Sequence, residues 1–173
     1  HASQSESELA AVIAHEMAHV TQHHIGRSIN QQAGATAVLI ASLLIAVLAA
    51  RNSPTAAEAA IAGGQAAMLQ NQLNYSRDFE READRVGLQI LDAGGFDPQA
   101  MPLFFEHMRQ AYRGEGDAPA YLRTHPLTGE RISDVQGRVR TLPYRQVPDS
   151  IEYALIKAKL ATLLETPRET VAR

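Results

Sequence analysis

Residues 10–26 read AAVIAHEMAHVTQHHIG, and whether this stretch is a helix decides both the fold and the chemistry. Leu9, Val12, Ile13, Met17 and Val20 recur at three- and four-residue intervals among alanines, the period of an amphipathic helix. Ser5 and Glu8 supply a capping-box start upstream, and Gly26 offers a stop. On such a helix His15 and His19 stand one turn apart on one face. Two imidazoles in that arrangement can grip one cation, and Glu16 lies beside them within reach of a bound water. The plainer reading is a surface helix with exposed polar residues, or core histidines satisfied by hydrogen bonds. The alanines and β-branched residues around the histidines weigh against it, because an unpaired imidazole and carboxylate on a half-buried face are costly.

A tetrahedral zinc site of the hydrolytic kind takes three protein ligands and keeps the fourth position for water. The third ligand can be sought along the chain. The H-E-x-x-H-x-x-G-x-x-H class fails, since Gln22 and Ile25 stand in the glycine and histidine places. His23 continues the face but lies about 12 Å along the axis from His15, too far for one ion with bonds of about 2.1 Å. His23 and His24 are therefore expected to be solvated helix-end residues. Cysteine is excluded, as the chain has none. A carboxylate remains, and SRDFEREADRVGLQIL (76–91) offers one on a second amphipathic helix built on Phe79, Ala83, Val86, Leu88, Ile90 and Leu91. Glu80 and Asp84 are four apart and share a face, so Glu80 can ligate while Asp84 accepts a hydrogen bond from the far N–H of a ligating histidine. Glu82 is expected to point elsewhere. Taken alone, the segment reads first as a salt-bridged surface helix, with Arg77, Arg81 and Arg85 pairing with these acids.

His15-Glu16-Met17-Ala18-His19 followed by Glu80-Arg81-Glu82-Ala83-Asp84 resembles the paired HExxH and ExxAD motifs of the gluzincin metallopeptidases, the superfamily of HtpX and the CAAX prenyl protease type 1. With RTHPLTGERISD at 123–134, the order of motifs is most similar to the BepA-like branch of periplasmic proteases. The resemblance implies zinc held by His15, His19 and Glu80, with Glu16 as general base and Asp84 behind a ligand histidine. It also implies a role for His125 and Arg131 of THPLTGER, His125 either serving the oxyanion or acting as a regulatory fourth ligand that shuts the enzyme, and Arg131 bearing on the same site as a catalytic residue, the alternative oxyanion group. From the residues alone, His125 before Pro126 is confined to extended or turn backbone, which suits a loop crossing a cleft. Without the resemblance it reads as an ordinary surface-loop histidine. The family's substrate-binding β-strands have no counterpart in the few residues ahead of the first helix, so the expected class is mainly α: a zincin-like helical domain without its usual N-terminal strands, read as a fragment or processed product.

The remaining chain sets bounds. A length of 173 residues with 45% hydrophobic content supports one domain with a sizeable core. A net charge of −3 with scattered arginines argues against nucleic acid as a partner. AGATAVLIASLLIAVLAA (33–50) is uncharged for 18 residues, the lower limit for a membrane span. Its alanines and glycines favour a buried or lid-like helix, with peripheral membrane contact or a span as alternatives. An alanine-rich helix over about 54–75, kinked at GGQ (63–65), would close a hairpin inserted at about 30–75 between the two zinc motifs. DAGGF (92–96) ends the Glu80 helix at a glycine, and Asp97-Pro98 opens another whose core face is Phe104, Phe105 and Met108. GEGDAPA (114–120) reads as a mobile loop. Residues 1–148 then form the peptidase domain. Residues 149–173 carry a linker helix from Ile151 to about Leu164, similar to the opening of a tetratricopeptide region, with too little chain for an array.

The paired motifs lead to a zinc endopeptidase, and the resemblance alone implies the bacterial periplasm and the degradation of misfolded or stalled outer-membrane proteins. Its expected partners are unfolded or misassembled proteins and the outer-membrane assembly machinery. The competing reading is a chaperone-like interaction module that assists assembly with little proteolysis. A deformylase-like hydrolase shares H-E-x-x-H but resembles enzymes with a cysteine ligand, which this chain lacks.

Overall fold

Ser5 starts the first helix, α1 (Glu6–Thr21): its hydroxyl accepts from the Glu8 N–H at 3.2 Å, and the Glu8 carboxylate reaches back to the Gln4 N–H at 2.7 Å. The computed structural model describes residues 3–111 and 120–165. The loop read at 114–120 falls, but for Ala120, outside the described residues. After α1 come α2 (His24–Ala50), α3 (Pro54–Ala93), α4 (Ala100–Ala111), α5 (Ala120–Thr124), α6 (Gly129–Val139) and α7 (Ile151–Glu165), with no strand among the described residues. The mainly α class is the one expected. The chain divides into two compact units, His1–Met17 with Asp84–Arg173, and Ala18–Ala83; α1 and α3 each pass from one into the other.

The core of the first unit is Ala11 and Ala14 of α1, Leu88 and Leu91 of α3, and the apolar faces of α4 and α6. Phe104, Phe105 and Met108 are buried there, as their spacing predicts, facing Ile132, Val135 and Val139. Each such side chain contributes about 1.5–3 kcal/mol on burial. Glycine ends α3 as expected: Gly95 takes φ +82°, Phe96 N–H bonds Leu91 O at 3.2 Å and Gly95 N–H bonds Asp92 O at 3.0 Å, a Schellman closure. Asp97 caps the turn into α4 through the Gln99 N–H at 2.9 Å. At the other end, Glu6 N–H donates to Asp149 and Ser150 N–H to Glu6, both at 2.7 Å, joining the starts of α1 and α7.

The buried face of α1 is the one expected, that of the histidines and their alanines, and its large residues lie outside it. Leu9, Ile13 and Met17 are exposed, whereas Ala11, Ala14 and His15 are buried. Close approach is the reason. A Cβ on Gly87 of α3 would stand 3.0 Å from the His15 Cα and N and 3.1 Å from the Ala14 carbonyl, so the two helices meet where only small residues fit. Gly87→Ala is therefore expected to lower stability by about 1 kcal/mol in denaturant unfolding, overpacking outweighing alanine's better helix propensity. Gly137→Ala, with open space around its Cβ on α6, should raise stability by up to about 1 kcal/mol. A Gly87→Ala protein as stable as the parent would mean that the contact can open at no cost.

The second unit is a helical hairpin with three departures from expectation. α1 stops at Thr21 rather than at Gly26, because His23 takes a left-handed conformation (φ 54°) and α2 begins at His24 with Gly26 inside it. The helices read at 54–75 and 76–91 are one unbroken helix of 40 residues, and the GGQ glycines mark a close approach instead of a kink: a Cβ on Gly64 would collide with the Ser42 side chain of α2. Finally, 33–50 is not buried. Only Ser42 and Ala46 of this stretch are buried and Leu39 is half-buried, while Ile40, Leu43, Leu44, Ile45, Val47 and Leu48 are exposed. Two long helices have one interface, and here serine, alanine and glycine occupy it, which leaves the large side chains facing out. By length and composition α2 is long and apolar enough to cross a membrane.

Candidate metal centre

The first unit carries a buried acid clamped between an arginine and a histidine. Asp84, 1% exposed, follows Glu80 by one turn on α3, and its Oδ1 lies 3.0 Å from Nδ1 of His15, itself 2% exposed. Arg131 grips the same carboxylate with two parallel bonds, Nε to Oδ2 and Nη2 to Oδ1, each 2.7 Å. Its Nη1 donates to the Pro126 carbonyl at 2.8 Å, and its guanidinium lies 5.3 Å from the Phe105 ring centre. The local fold aims it there: Thr128 caps α6 by accepting from the Arg131 N–H at 3.3 Å, so Arg131 leaves the first turn of α6 on its buried face. A bidentate pair of this kind compensates the desolvation of both charges and fixes the carboxylate plane. With Nδ1 of His15 engaged by Asp84, the second ring nitrogen is the one that can offer a lone pair to an ion.

His125 follows α5, its N–H donating to Tyr121 O at 2.8 Å and its ring stacking on Tyr121 at 4.8 Å between centroids. The ring stands edge-on to His15 at 5.4 Å, and its Nε2 lies 3.5 Å from Oε1 of Glu16, whose side chain is nearly half exposed. His15, Glu16, Asp84, His125 and Arg131 are thus assembled within one unit, from α1, α3, the loop after α5 and α6.

In the second unit, Nε2 of His19 lies 3.4 Å from Oε1 of Glu80. The other face of His19 meets His24, Nδ1 to Nδ1 at 2.9 Å, and the Nε2 of His24 lies 3.2 Å from Oε2 of Glu82. Arg27 donates to that same oxygen at 2.6 Å. Phe79 closes the group, stacked on His24 at 4.6 Å and lying under the Arg27 guanidinium at 4.8 Å. Burial pushes the His24 imidazole below its usual value against the opposing bond to Glu82, with His19 and Arg27 adding to the fall. The hydrogen bond from Arg27 holds the Glu82 carboxyl below the usual range, and the one to His24 adds to it. His23 is exposed, but His24 is 3% exposed and the expectation of a solvated helix-end residue is corrected. Glu82 stands outside the candidate donor group, as expected, and meets His24 and Arg27 instead. The placement of His24 follows from the left-handed turn at His23, which ends α1 early and folds His24 back, and no periodicity in the sequence marks that turn.

The donor set fits a divalent ion of the zinc kind. Two donors each about 2.1 Å from a tetrahedral ion stand about 3.4 Å apart, and His19 Nε2 and Glu80 Oε1 have that separation. Within the first unit, His15 and His125 bring candidate donor atoms within 4.8 Å of each other. On α1 itself, His15 and His19 are one turn apart.

Residues 1–139 match peptidase family M48, and the chain belongs to that family. The gluzincin resemblance of the two motifs is thereby met. Among relatives, the beta-barrel assembly-enhancing protease of Escherichia coli is 37% identical over 166 residues, 96% of this chain and 34% of the relative. A Vibrio cholerae protein named for the same protease is 44% identical over 158 residues, 91% of this chain and 33% of the relative. More distantly, mitochondrial metalloendopeptidase OMA1 of Schizosaccharomyces pombe is 34% identical over 145 residues, 82% of this chain and 38% of the relative. The chain spans about a third of the length of the two bacterial relatives.

Proposed function

We propose that this chain is the zinc endopeptidase domain of a periplasmic protease acting on unfolded or misassembled outer-membrane proteins. The observation that carries the reading is the pair of half-sites on α1 and α3: His19 against Glu80 at 3.4 Å, and, one turn along each helix, His15 against Asp84 at 3.0 Å. In this reading His15, His19 and Glu80 hold one zinc ion, residues 1–148 form the peptidase domain with the helical hairpin as its insert, and 149–173 lead toward a tetratricopeptide region. A zinc ion so held would polarise the scissile carbonyl and lower the pKa of water toward about 7. Glu16 takes the proton of the attacking water and hands it to the leaving amine as the peptide bond breaks. Asp84 fixes the His15 ring, and Arg131 acts through Asp84 and the Pro126 carbonyl, tying the His125 loop to α6, in place of touching the oxyanion itself. The bacterial relatives are named as proteases that enhance β-barrel assembly, which supports an outer-membrane context for this reading.

His125 Nε2 sits against the Glu16 carboxylate, which favours a shutter over an oxyanion group. His125→Ala is then expected to raise the cleavage rate, by up to about tenfold if roughly nine chains in ten are shut. A lower rate would assign His125 to the transition state instead. The test of the whole reading is elemental analysis of the purified chain together with digestion of a urea-unfolded outer-membrane β-barrel protein and of casein. About one zinc per chain and chelator-sensitive cleavage of the β-barrel protein are expected. Cleavage of casein alone would remove the client assignment and leave the peptidase.

A further inference from the structure

We infer that the hairpin unit seats on a lipid bilayer through the outer face of α2, lying in the plane of the membrane with α3 on the water side. The inference concerns this unit alone and stands apart from the reaction proposed above. From Ser28 to Ala50 the chain carries no charge, and from Asn52 to Ser76 only Glu58 does. α2 meets α3 along one narrow seam: Ser42 and Ala46 are buried, Ala35, Leu39 and Ala49 are half-buried, and a Cβ on Gly64 would strike the Ser42 side chain. The Ser42 hydroxyl is satisfied within the helix, donating to the Leu39 carbonyl at 2.8 Å. Outside the seam, Ile40, Leu43, Leu44, Ile45, Val47 and Leu48 are each more than half exposed. At about 100° per residue, Leu43 to Ile45 opens an arc of about 200°, and the other four side chains fall inside it.

The width of that arc selects lipid over a protein partner. A helix docked on another protein buries a stripe of about 100°, roughly half of what is exposed here, whereas acyl chains can cover the whole of it. The second helix sets the orientation. The covered residues of α3, Ala57, Ala60, Gly64 and Met68, recur at three- and four-residue spacing, while Glu58, Ala62 and Gln65 are exposed. Glu58 and Gln65 stand two turns apart on one face. The hairpin therefore has an aliphatic side on α2 and a more polar side on α3. A span across the bilayer would carry Arg51 and Glu58, near the tip of the hairpin, through the hydrocarbon, where each charge is costly. Seated in plane, Glu58 keeps its water, and the long side chain of Arg51 reaches the phosphates of the headgroups.

The chain has no cysteine, so single labels report position directly. Leu44→Cys and Ala62→Cys of the full chain, each carrying an environment-sensitive fluorophore, are mixed with vesicles of phosphatidylethanolamine and phosphatidylglycerol that hold nitroxides at set depths. The label at 44 is expected to shift to the blue and be quenched by shallow nitroxides only when vesicles are present, and the label at 62 to stay aqueous. The triple variant Leu43→Gln, Leu44→Gln, Val47→Gln, altered only at exposed positions, should keep the parent's circular dichroism and need about tenfold more lipid or above for half-binding in flotation. A parent that does not float with the vesicles, or a triple variant that floats as the parent does, overturns the inference. So does quenching of both labels by deep nitroxides, which means a span. A blue shift at 44 without vesicles overturns it too: one that grows with concentration beside a doubled mass in light scattering means a second copy on this face, and one independent of concentration means that the chain covers the face itself.

Discussion

Glu16→Gln should keep its metal and lose peptide cleavage by about 10²–10⁴-fold, the usual worth of a positioned general base. The amide has nearly the same shape and cannot take a proton at neutral pH. Glu16 is nearly half exposed and approaches His125 at 3.5 Å, outside the apolar core, so the substitution leaves the core of the first unit untouched. Zinc content and unfolding midpoint should match the parent while turnover of an unfolded substrate disappears. The comparison isolates one step: a variant that fails to bind metal would be reporting on the site, and one that cleaves normally would move the base elsewhere, with His125 next in reach.

Glu80→Ala should reduce bound zinc from about one per chain to near none after dialysis, because two imidazoles alone leave the ion short of the three protein ligands such sites use. The effect on stability is expected to depend on the metal. Glu80 is buried at 4% exposure on an unbroken helix, where alanine is the better helix former, so the metal-free variant should be at least as stable as the metal-free parent. Adding zinc at a hundred times its dissociation constant should raise the parent by about 2.7 kcal/mol and the variant by almost nothing. Calorimetry with and without zinc reads both. Retained zinc in Glu80→Ala would move the third ligand to another donor, His125 being the candidate already near His15.

The expectations drawn from short-range spacing concern residues that a helix alone brings together. His15 with His19, and Glu80 with Asp84, share faces because 3.6 residues complete a turn, and this holds wherever the helix is placed. The same locality made the glycine stop at DAGGF and the core face Phe104, Phe105 and Met108 readable. Where composition was the guide to burial, the outcome was mixed. The face of α1 that carries the histidines among alanines is buried as expected, whereas 33–50, whose alanines and glycines favoured a covered helix, leaves its large residues exposed. In both places the inner face belongs to alanine, serine and glycine, because helices that approach to backbone contact exclude larger side chains there.

What the amino-acid sequence determined by itself is therefore the helical class, the M48 motif pair and the pairing of donors along each helix. The tertiary structure alone decided that the large residues of 33–50 are exposed, that α3 runs unbroken from the hairpin to the second motif, and that His24, Glu82 and Arg27 join behind His19. The physical reason lies in one residue's backbone: a left-handed turn at His23 and the packing of α2 on α3 set those contacts, 58 positions apart for His24 and Glu82. Periodicity reports neighbours within a turn or two, and carries nothing about partners at that separation.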